Sequence, residues 1–240
     1  MSAKYEKNIY LAMLAEQCNR FDEMVKFLEE MLANRDKDLT TDERNLLSIA
    51  YKNSISSPRL AQRTIKAYET KEQKKEESKF LPYILEYKQK VEDELTKMCQ
   101  NVINVIETQL LKKAEEDEAK VFYIKMKGDY NRYIAEYAVD DLKAKVAENA
   151  LNAYNEASTI AKNLPVLNPI ALGLALNFSV FYYEVKNDHD TAIKIASEAI
   201  DKVDKELPNI DEDAEENRDT VSIVNLLKEN LEMWKSETEQ

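Results

Sequence analysis

Glycine and proline are scarce in this chain: among its 240 residues there are 2 glycines and 5 prolines. Both numbers are below average usage, and these two residues supply most tight turns. So few of them exclude an all-β fold, which needs many short connections. The composition therefore favours long helices, with 44% hydrophobic residues for a core and 33% charged residues for solvated helix faces.

Cysteine and histidine are also rare. Cys18 and Cys99 follow no metal-binding or redox spacing and fall among apolar helical positions, so we predict two buried, reduced thiols. The single histidine, His189, has no second histidine to share a metal or a proton-transfer role. Glycine-rich phosphate loops and the common hydrolase and metalloprotease motifs are absent. The sequence predicts no catalytic residue, no metal, no cofactor and no enzymatic activity.

An excess of positive charge and a long apolar run are missing as well. The net charge of −12 argues against nucleic acid and anionic membranes as partners. The longest apolar stretch, 170–183, is too short to span a bilayer and contains Asn177. Residues 1–10 are polar and charged, unlike a signal peptide. We expect an intracellular protein in the cytoplasm, with the nucleus left open as a second location.

Helical periodicity dominates what is present. Capping signals mark several helix starts: a capping box at 40–43, Asn168 before a proline, and Asp190. The pattern predicts an all-α fold of about nine antiparallel helices in one domain over 1–236, with a short tail at 237–240. The layers should be curved and resemble tetratricopeptide repeats in shape, although no sequence repeat is present. The predicted helices are 4–18, 21–35, 41–71, 79–111, 116–138, 141–163, 169–186, 190–206 and 213–236.

Three stretches carry a family resemblance. They are RNLLSIAYKN at 44–53, VFYIKMKGDYNRYIAE at 121–136 and GLALNFSVFYYE at 173–184. Each resembles a segment of the 14-3-3 family, and they occur in the family's order. The last helix, 219–234, resembles a further family signature more loosely. The similarity covers about residues 5–236, nearly the whole chain.

The resemblance implies a phosphate-binding site within a concave groove. Its residues would be Lys52, Arg59, Arg132 and Tyr133. Guanidinium groups match phosphate oxygens two at a time, so the chemistry suits phosphoserine or phosphothreonine. Lys52 and Arg59 are seven positions apart and would share one face of the predicted third helix. That spacing alone is common on solvated helices. The hypothesis therefore rests on the family resemblance of the stretches at 44–53 and 121–136.

The opposite wall of the groove would bind the client peptide itself. The resemblance implies that Asn177 and Asn230 hydrogen-bond the peptide backbone, since a carboxamide both donates and accepts. Without the family resemblance, the apolar residues of this wall would be interpreted as ordinary helix core. The remaining implied peptide-binding residues are Lys125, Leu176, Val180, Glu184, Ile223, Leu226 and Trp234.

Dimerisation is the other implied trait. Arg20 with Glu94, and Glu23 with Lys90, occupy the positions of ion pairs between subunits. Exposed ion pairs contribute only ~0–1 kcal/mol each, so they would fix register more than affinity. The apolar residues expected to pack between them are Leu14, Cys18 and Tyr87.

Departures from the family pattern lie mainly in the third helix. Pro58 removes a backbone hydrogen bond, and we expect a local bend that keeps Arg59 within reach of a phosphate. Gln62 replaces a tryptophan, and Ala61 replaces a serine whose phosphorylation weakens many family dimers. Ser222 makes the groove wall more polar.

Two hypotheses follow. The first is a dimeric adaptor that clamps phosphoserine or phosphothreonine segments of client proteins, with itself or a related protomer as partner. The alternative is a helical scaffold of the same fold that binds unphosphorylated partners. The sequence leaves open the clients, their flanking residues, and whether the dimer contains one chain type or two.

Overall fold

All regular structure in the described residues is helical, which confirms the predicted all-α class. The computed structural model describes residues 3–206 and 214–238. Short π-helical turns at Ile106–Leu110 and Tyr182–Lys186 extend two of the helices. The ten α-helices within these ranges are α1 (Ala3–Gln17), α2 (Phe21–Leu32), α3 (Thr41–Ser54), α4 (Ser56–Gln73), α5 (Leu81–Val105), α6 (Asp117–Ala135), α7 (Asp140–Ala161), α8 (Pro169–Phe181), α9 (His189–Glu206) and α10 (Arg218–Thr238).

The chain forms two compact units. The first comprises Met1–Lys113 and carries α1 to α5, with α1 packed on α2 and α4 packed on α5. The second comprises Ala114–Gln240 and carries α6 to α10, with α6 packed along α7 and α8 in contact with α9 and α10. The single domain over 1–236 stays a prediction. Helix α10 reaches Thr238, so the first two residues of the predicted tail are helical.

Two of the three predicted helix starts are confirmed by their hydrogen bonds. The Thr40 hydroxyl accepts from the Glu43 N–H at 3.3 Å, and the Glu43 carboxylate accepts from the Thr40 N–H at 2.8 Å. The Asn168 side chain accepts from two N–H groups of the first turn of α8. The predicted cap at Asp190 is wrong. Asp188 precedes α9 and its carboxylate accepts from the N–H three residues later at 3.0 Å.

The predicted third helix is divided at Ile55 into α3 and α4. Pro58 has no N–H, so the carbonyl of Ser54 loses its partner four residues later. Just before this point the Ile55 N–H lies 3.4 Å from its acceptor, and just after it the Arg59 N–H donates to the Ile55 carbonyl at 3.0 Å. The helical path is therefore interrupted at Ile55 and resumes immediately, and the size of the expected bend stays a prediction.

This interruption corrects one step of the sequence argument. Lys52 lies on α3 and Arg59 lies on α4, so the two residues are not on one continuous helix. A spacing of seven residues therefore does not by itself place them on a common face. Whether the bend keeps Arg59 within reach of a bound phosphate stays a prediction.

The two cysteines differ in exposure. Cys99 is fully buried on α5, as predicted. Cys18 is exposed, so the prediction of a second buried thiol is wrong. It follows the last residue of α1, where the chain turns toward α2 through Asn19 in a left-handed conformation (φ 55°). Apolar periodicity does not extend through such a turn, which is why the sequence pattern misled here.

Gly128 on α6 lies close to the Tyr154 ring of α7. A Cβ atom placed at Gly128 would lie 2.8 Å and 2.9 Å from two ring carbons of Tyr154, whose side chain is fully buried. We expect Gly128→Ala to lower the free energy of unfolding by ~1–3 kcal/mol, because the ring has to move within a packed core. Urea denaturation followed by circular dichroism measures this change.

Gly173 on α8 is the matched control. A Cβ atom there would lie 3.6 Å from the Lys125 side chain and 3.9 Å from that of Ile223, both ordinary contact distances. Gly173→Ala is expected to raise the free energy of unfolding by about 0.5–1 kcal/mol, because alanine is the better helix former. Equal destabilisation by both substitutions would contradict the close approach at Gly128.

Candidate functional site

Arg132 is a buried cation on α6, with 7% of its surface exposed. Its Nε donates to the Tyr154 hydroxyl at 3.3 Å, and its Nη1 donates to the Glu136 carboxylate at 3.2 Å. Burial alone would lower the pKa of Arg132, but the nearby Tyr154, Asp129 and Glu136 outweigh it and raise that pKa above its usual range. The guanidinium is therefore held in a fixed position and remains charged at any pH of interest.

Asp129 connects the polar residues around Arg132. Its carboxylate accepts from Lys125 Nζ at 2.9 Å, from the Tyr154 hydroxyl at 2.7 Å and from Asn177 Nδ2 at 2.8 Å. It also lies 3.9 Å from Arg132 Nη2. Burial by itself would raise the pKa of Asp129, but the charges of Lys125 and Arg132 outweigh it and the pKa is lowered. One carboxylate thus orients three predicted site residues on two helices.

Sequence reasoning missed Asp129 and Tyr154. Asp129 lies four positions after Lys125 and three before Arg132, so helical spacing could have identified it as their common acceptor. Tyr154 comes from α7 and has no local spacing to either partner. Only the packing of α7 on α6 brings its hydroxyl to the site.

Tyr133 lies beside Arg132 and is half-buried. The Arg132 guanidinium carbon lies 4.7 Å from the centre of the Tyr133 ring, within the range of a cation–π contact. The ring also meets Tyr130 edge-on at 5.3 Å between centroids. The structure therefore brings together the predicted phosphate-binding pair of the second unit.

The two other predicted phosphate-binding residues belong to the first unit. Lys52 is exposed near the end of α3, and Arg59 is half-buried in the first turn of α4. That all four residues form one phosphate site stays a prediction.

The predicted peptide-binding residues of α8 lie beside the Arg132 cluster. Leu176, Asn177 and Val180 are half-buried, and Asn177 bonds to Asp129. Leu176 and Val180 pack against a core cluster shared by α9 and α10. These side chains are thus held by the interior at one end and accessible at the other.

Helix α10 contributes four predicted peptide-binding residues with different exposure. Ile223 and Asn230 are half-buried, and Leu226 is 45% exposed. Trp234 is only 2% exposed, and its ring stacks on Tyr183 at 4.7 Å between centroids. The Trp234 ring therefore belongs to the core of the second unit, and its contact with a peptide stays a prediction. Ser222, the polar departure on this wall, is exposed.

Glu184 lies in the π-helical turn that follows α8. Its carboxylate is 3.9 Å from Arg132 Nη1 and its side chain is 49% exposed. The Glu184 carboxylate is therefore more accessible than the carboxylates of Asp129 and Glu136 that also lie near Arg132.

Comparison with known proteins identifies the family. The model of the family described as 14-3-3 protein matches residues 11–235. The chain belongs to the 14-3-3 family.

Curated relatives agree over almost the full length of this 14-3-3 protein. A 14-3-3 protein homolog of Trichoderma harzianum is 45% identical over 97% of this chain and 88% of its own length. A 14-3-3-like protein of Pisum sativum is 44% identical over 97% of this chain and 89% of its own. The 14-3-3 protein 6 of Solanum lycopersicum is 43% identical over 99% and 92%.

Membership confirms the resemblance seen in the sequence. The 14-3-3 proteins are adaptors without enzymatic activity, so this 14-3-3 protein is not an enzyme. Membership also supports a role in binding phosphopeptides. Among the described residues, no helix has the length and apolar character needed to cross a bilayer.

The predicted dimer residues of this 14-3-3 protein lie on the first unit and are exposed, except for Glu23, which is half-buried. Arg20 Nε donates to the Glu23 carboxylate at 2.8 Å within the protomer. If Arg20 or Glu23 forms an ion pair with a second subunit, this hydrogen bond has to break or be shared with the new partner. Leu14 is 47% exposed and Tyr87 is 56% exposed. The other predicted interface residues, Cys18, Lys90 and Glu94, are exposed as well.

Proposed function

We propose that this 14-3-3 protein is a dimeric adaptor that binds phosphoserine or phosphothreonine segments of client proteins and regulates them in signalling. The observation that carries the proposal is the buried, permanently charged Arg132, fixed by Asp129, Tyr154 and Glu136. A guanidinium held in this way binds a phosphate without first losing side-chain entropy.

The phosphate is recognised by charge and by geometry. Arg132 and Arg59 each offer a planar fork to two phosphate oxygens, Lys52 adds a point charge, and Tyr133 donates its hydroxyl. Charge-assisted hydrogen bonds contribute ~1.5–3 kcal/mol each, so several of them separate a phosphorylated peptide from a plain one by orders of magnitude. A serine hydroxyl offers none of this charge.

The peptide chain itself is bound mainly by side chains of α8 and α10 in the second unit, with Lys125 from α6 and Glu184 from the turn after α8. Asn177 and Asn230 hydrogen-bond its backbone, and Lys125 adds a donor. Leu176, Val180, Ile223 and Leu226 contact its apolar side chains, and Glu184 and Trp234 complete the proposed peptide-binding set. Because Asp129 holds both Asn177 and Lys125, peptide binding and phosphate binding depend on the same carboxylate.

Fluorescence polarisation with a matched pair of labelled peptides tests the proposal. One peptide carries phosphoserine and the other carries serine in the same sequence, with arginine before the site and proline after it. We expect saturable binding of the phosphopeptide only, weakened by added salt because the contact is ionic. Equal binding of both peptides would favour the alternative, a scaffold for unphosphorylated partners, and would overturn the phosphate-dependent mechanism.

Dimerisation is supported by apolar surface on the first unit. Exposed Leu14 is joined on α1 by Tyr10 and Met13, which are 67% and 52% exposed. Aromatic residues of α4 and α5, including Tyr87 and Tyr83, line a groove of about 300 Å³. Apolar patches of this kind mark protein interfaces. In the proposed dimer, α1 of one subunit lies in the aromatic groove of the other.

A charged residue in this patch is expected to prevent dimerisation. Leu14→Asp should halve the mass measured by light scattering during gel filtration, because a carboxylate cannot be buried there without a partner. Leu142→Asp, on the exposed surface of α7 in the second unit, should leave the mass unchanged. A dimer that persists in Leu14→Asp at micromolar concentration would place the interface elsewhere.

A further inference from the structure

A second cavity lies in the second unit between α7, α8 and α9. Its volume is about 490 Å³ and it opens to solvent. Pockets that hold small molecules usually measure ~300–1,000 Å³ and are mostly apolar. Most of its wall is apolar, with side chains that include Leu164, Val166, Leu174, Ala175, Phe178 and Ile195.

The cavity is separate from the proposed peptide-binding surface. On α8, Ala175 and Phe178 line the cavity. Asn177 and Val180 belong to the proposed peptide-binding set and project from the opposite side of the same helix, because each residue turns the helix by ~100°. A ligand in the cavity therefore does not occupy the phosphopeptide site.

The floor of the cavity is rigid. Phe178 stacks on Tyr154 at 5.2 Å and meets Tyr182 at 5.0 Å between ring centroids. Tyr154 is fully buried and its hydroxyl donates to Asp129 at 2.7 Å. Aromatic rings fixed in this way hold the cavity open without a ligand, so binding costs little reorganisation.

Two exposed lysines line the cavity. Lys162, just after α7, and Lys202, on α9, make no ion pair within 4.0 Å anywhere in the described part of the chain. The one carboxylate of the lining, Glu198, lies 4.0 Å from Lys194 on the same helix. On a protein of net charge −12, this apolar cavity thus carries a local positive charge.

We propose that this cavity binds a small amphiphile with one apolar chain and a carboxylate head. The chain lies against Phe178, Ala175 and Ile195, where it leaves water, and the head lies near Lys162 and Lys202. The lining contains Lys162 and Lys202 against the carboxylate of Glu198, so a singly charged head matches its charge better than a highly charged ligand would. Nothing in this proposal depends on phosphopeptide binding.

Isothermal titration calorimetry with decanoate, kept below its micelle concentration, tests the proposal on the full chain. We expect one saturable site per chain and markedly weaker binding of decan-1-ol, which has the same chain without the charge. The double variant Lys162→Gln/Lys202→Gln should bind decanoate about tenfold more weakly or worse, since it keeps the cavity but loses both charge-assisted contacts.

Two further variants locate the binding. Ala175→Leu fills the cavity from α8 and should abolish saturable binding, while its melting curve shows that the fold is kept. Leu226→Asp changes the exposed peptide-binding face of α10 and should bind decanoate like the native protein. Absence of saturable binding to the native protein overturns the proposal. So does unchanged binding by Ala175→Leu, or loss of binding in Leu226→Asp alone.

Discussion

Arg132→Ala is expected to weaken binding of a phosphoserine peptide at least ~100-fold, which corresponds to the loss of about two charge-assisted hydrogen bonds. The guanidinium is buried, fixed by Tyr154 and Glu136, and permanently charged, so no other group replaces it. Fluorescence polarisation with the labelled phosphopeptide measures the change. Binding of the unphosphorylated peptide should stay at its low level.

Two variants separate the effect of the planar guanidinium geometry of Arg132 from the effect of its positive charge. Arg132→Lys keeps the positive charge but loses the planar, two-pronged geometry, and we expect most of the loss to remain. Lys145→Ala removes one positive charge from the exposed surface of α7 and should leave the affinity within about twofold, because an exposed, solvated charge contributes little. An Arg132→Ala protein that is folded and binds the phosphopeptide normally would contradict the proposed site.

Asp129→Asn is expected to lower the free energy of unfolding by ~3–5 kcal/mol, because it leaves the buried charge of Arg132 and the half-buried charge of Lys125 without this carboxylate. Asparagine has nearly the same shape, so the loss does not come from a cavity. The amide also fails to accept from Lys125, Tyr154 and Asn177 together, and phosphopeptide affinity should fall as these residues lose their positions. Chemical denaturation and fluorescence polarisation measure the two effects.

Asp129 is also expected to make the free energy of unfolding depend on pH. The pKa of Asp129 is lowered in the folded protein from its ordinary value of 3.8. Its stabilising effect is therefore complete above that value and is lost as the pH falls through the lower folded pKa. The stability difference between the native protein and Asp129→Asn should be constant near neutral pH and shrink below about pH 4.

Local chemistry made much of the fold predictable. The capping box at Thr40 and the Asn168 cap depend only on residues within one turn, and both were confirmed. The cap predicted at Asp190 and the predicted burial of Cys18 were wrong, because the true cap, Asp188, and Cys18 both lie in connections, where helical periodicity ends. Pro58 was recognised as a source of bending, although the break itself falls three residues earlier, at Ile55.

The site was predictable in part, for a related reason. Arg132 and Tyr133 are adjacent in a long family motif, and the structure brings their side chains together. Asp129 has a helical spacing to Arg132 that the sequence displays, whereas Tyr154 reaches the site only because α7 packs against Gly128 of α6. The second cavity has no sequence signal, because its wall comes from three helices and looks like ordinary core in each of them.

The sequence by itself determined the all-α class, most helix boundaries, the family and the basic residues proposed to bind phosphate. These follow from periodicity, capping and long motifs, all of which are properties of neighbouring residues. Tertiary structure alone decided that Asp129 and Tyr154 hold Arg132 in place. It also decided that Trp234 lies in the core. Finally, it gave α8 a cavity on one side and predicted peptide-binding residues on the other. The reason is physical: burial and side-chain contacts between helices depend on packing, and a distance along the chain does not specify them.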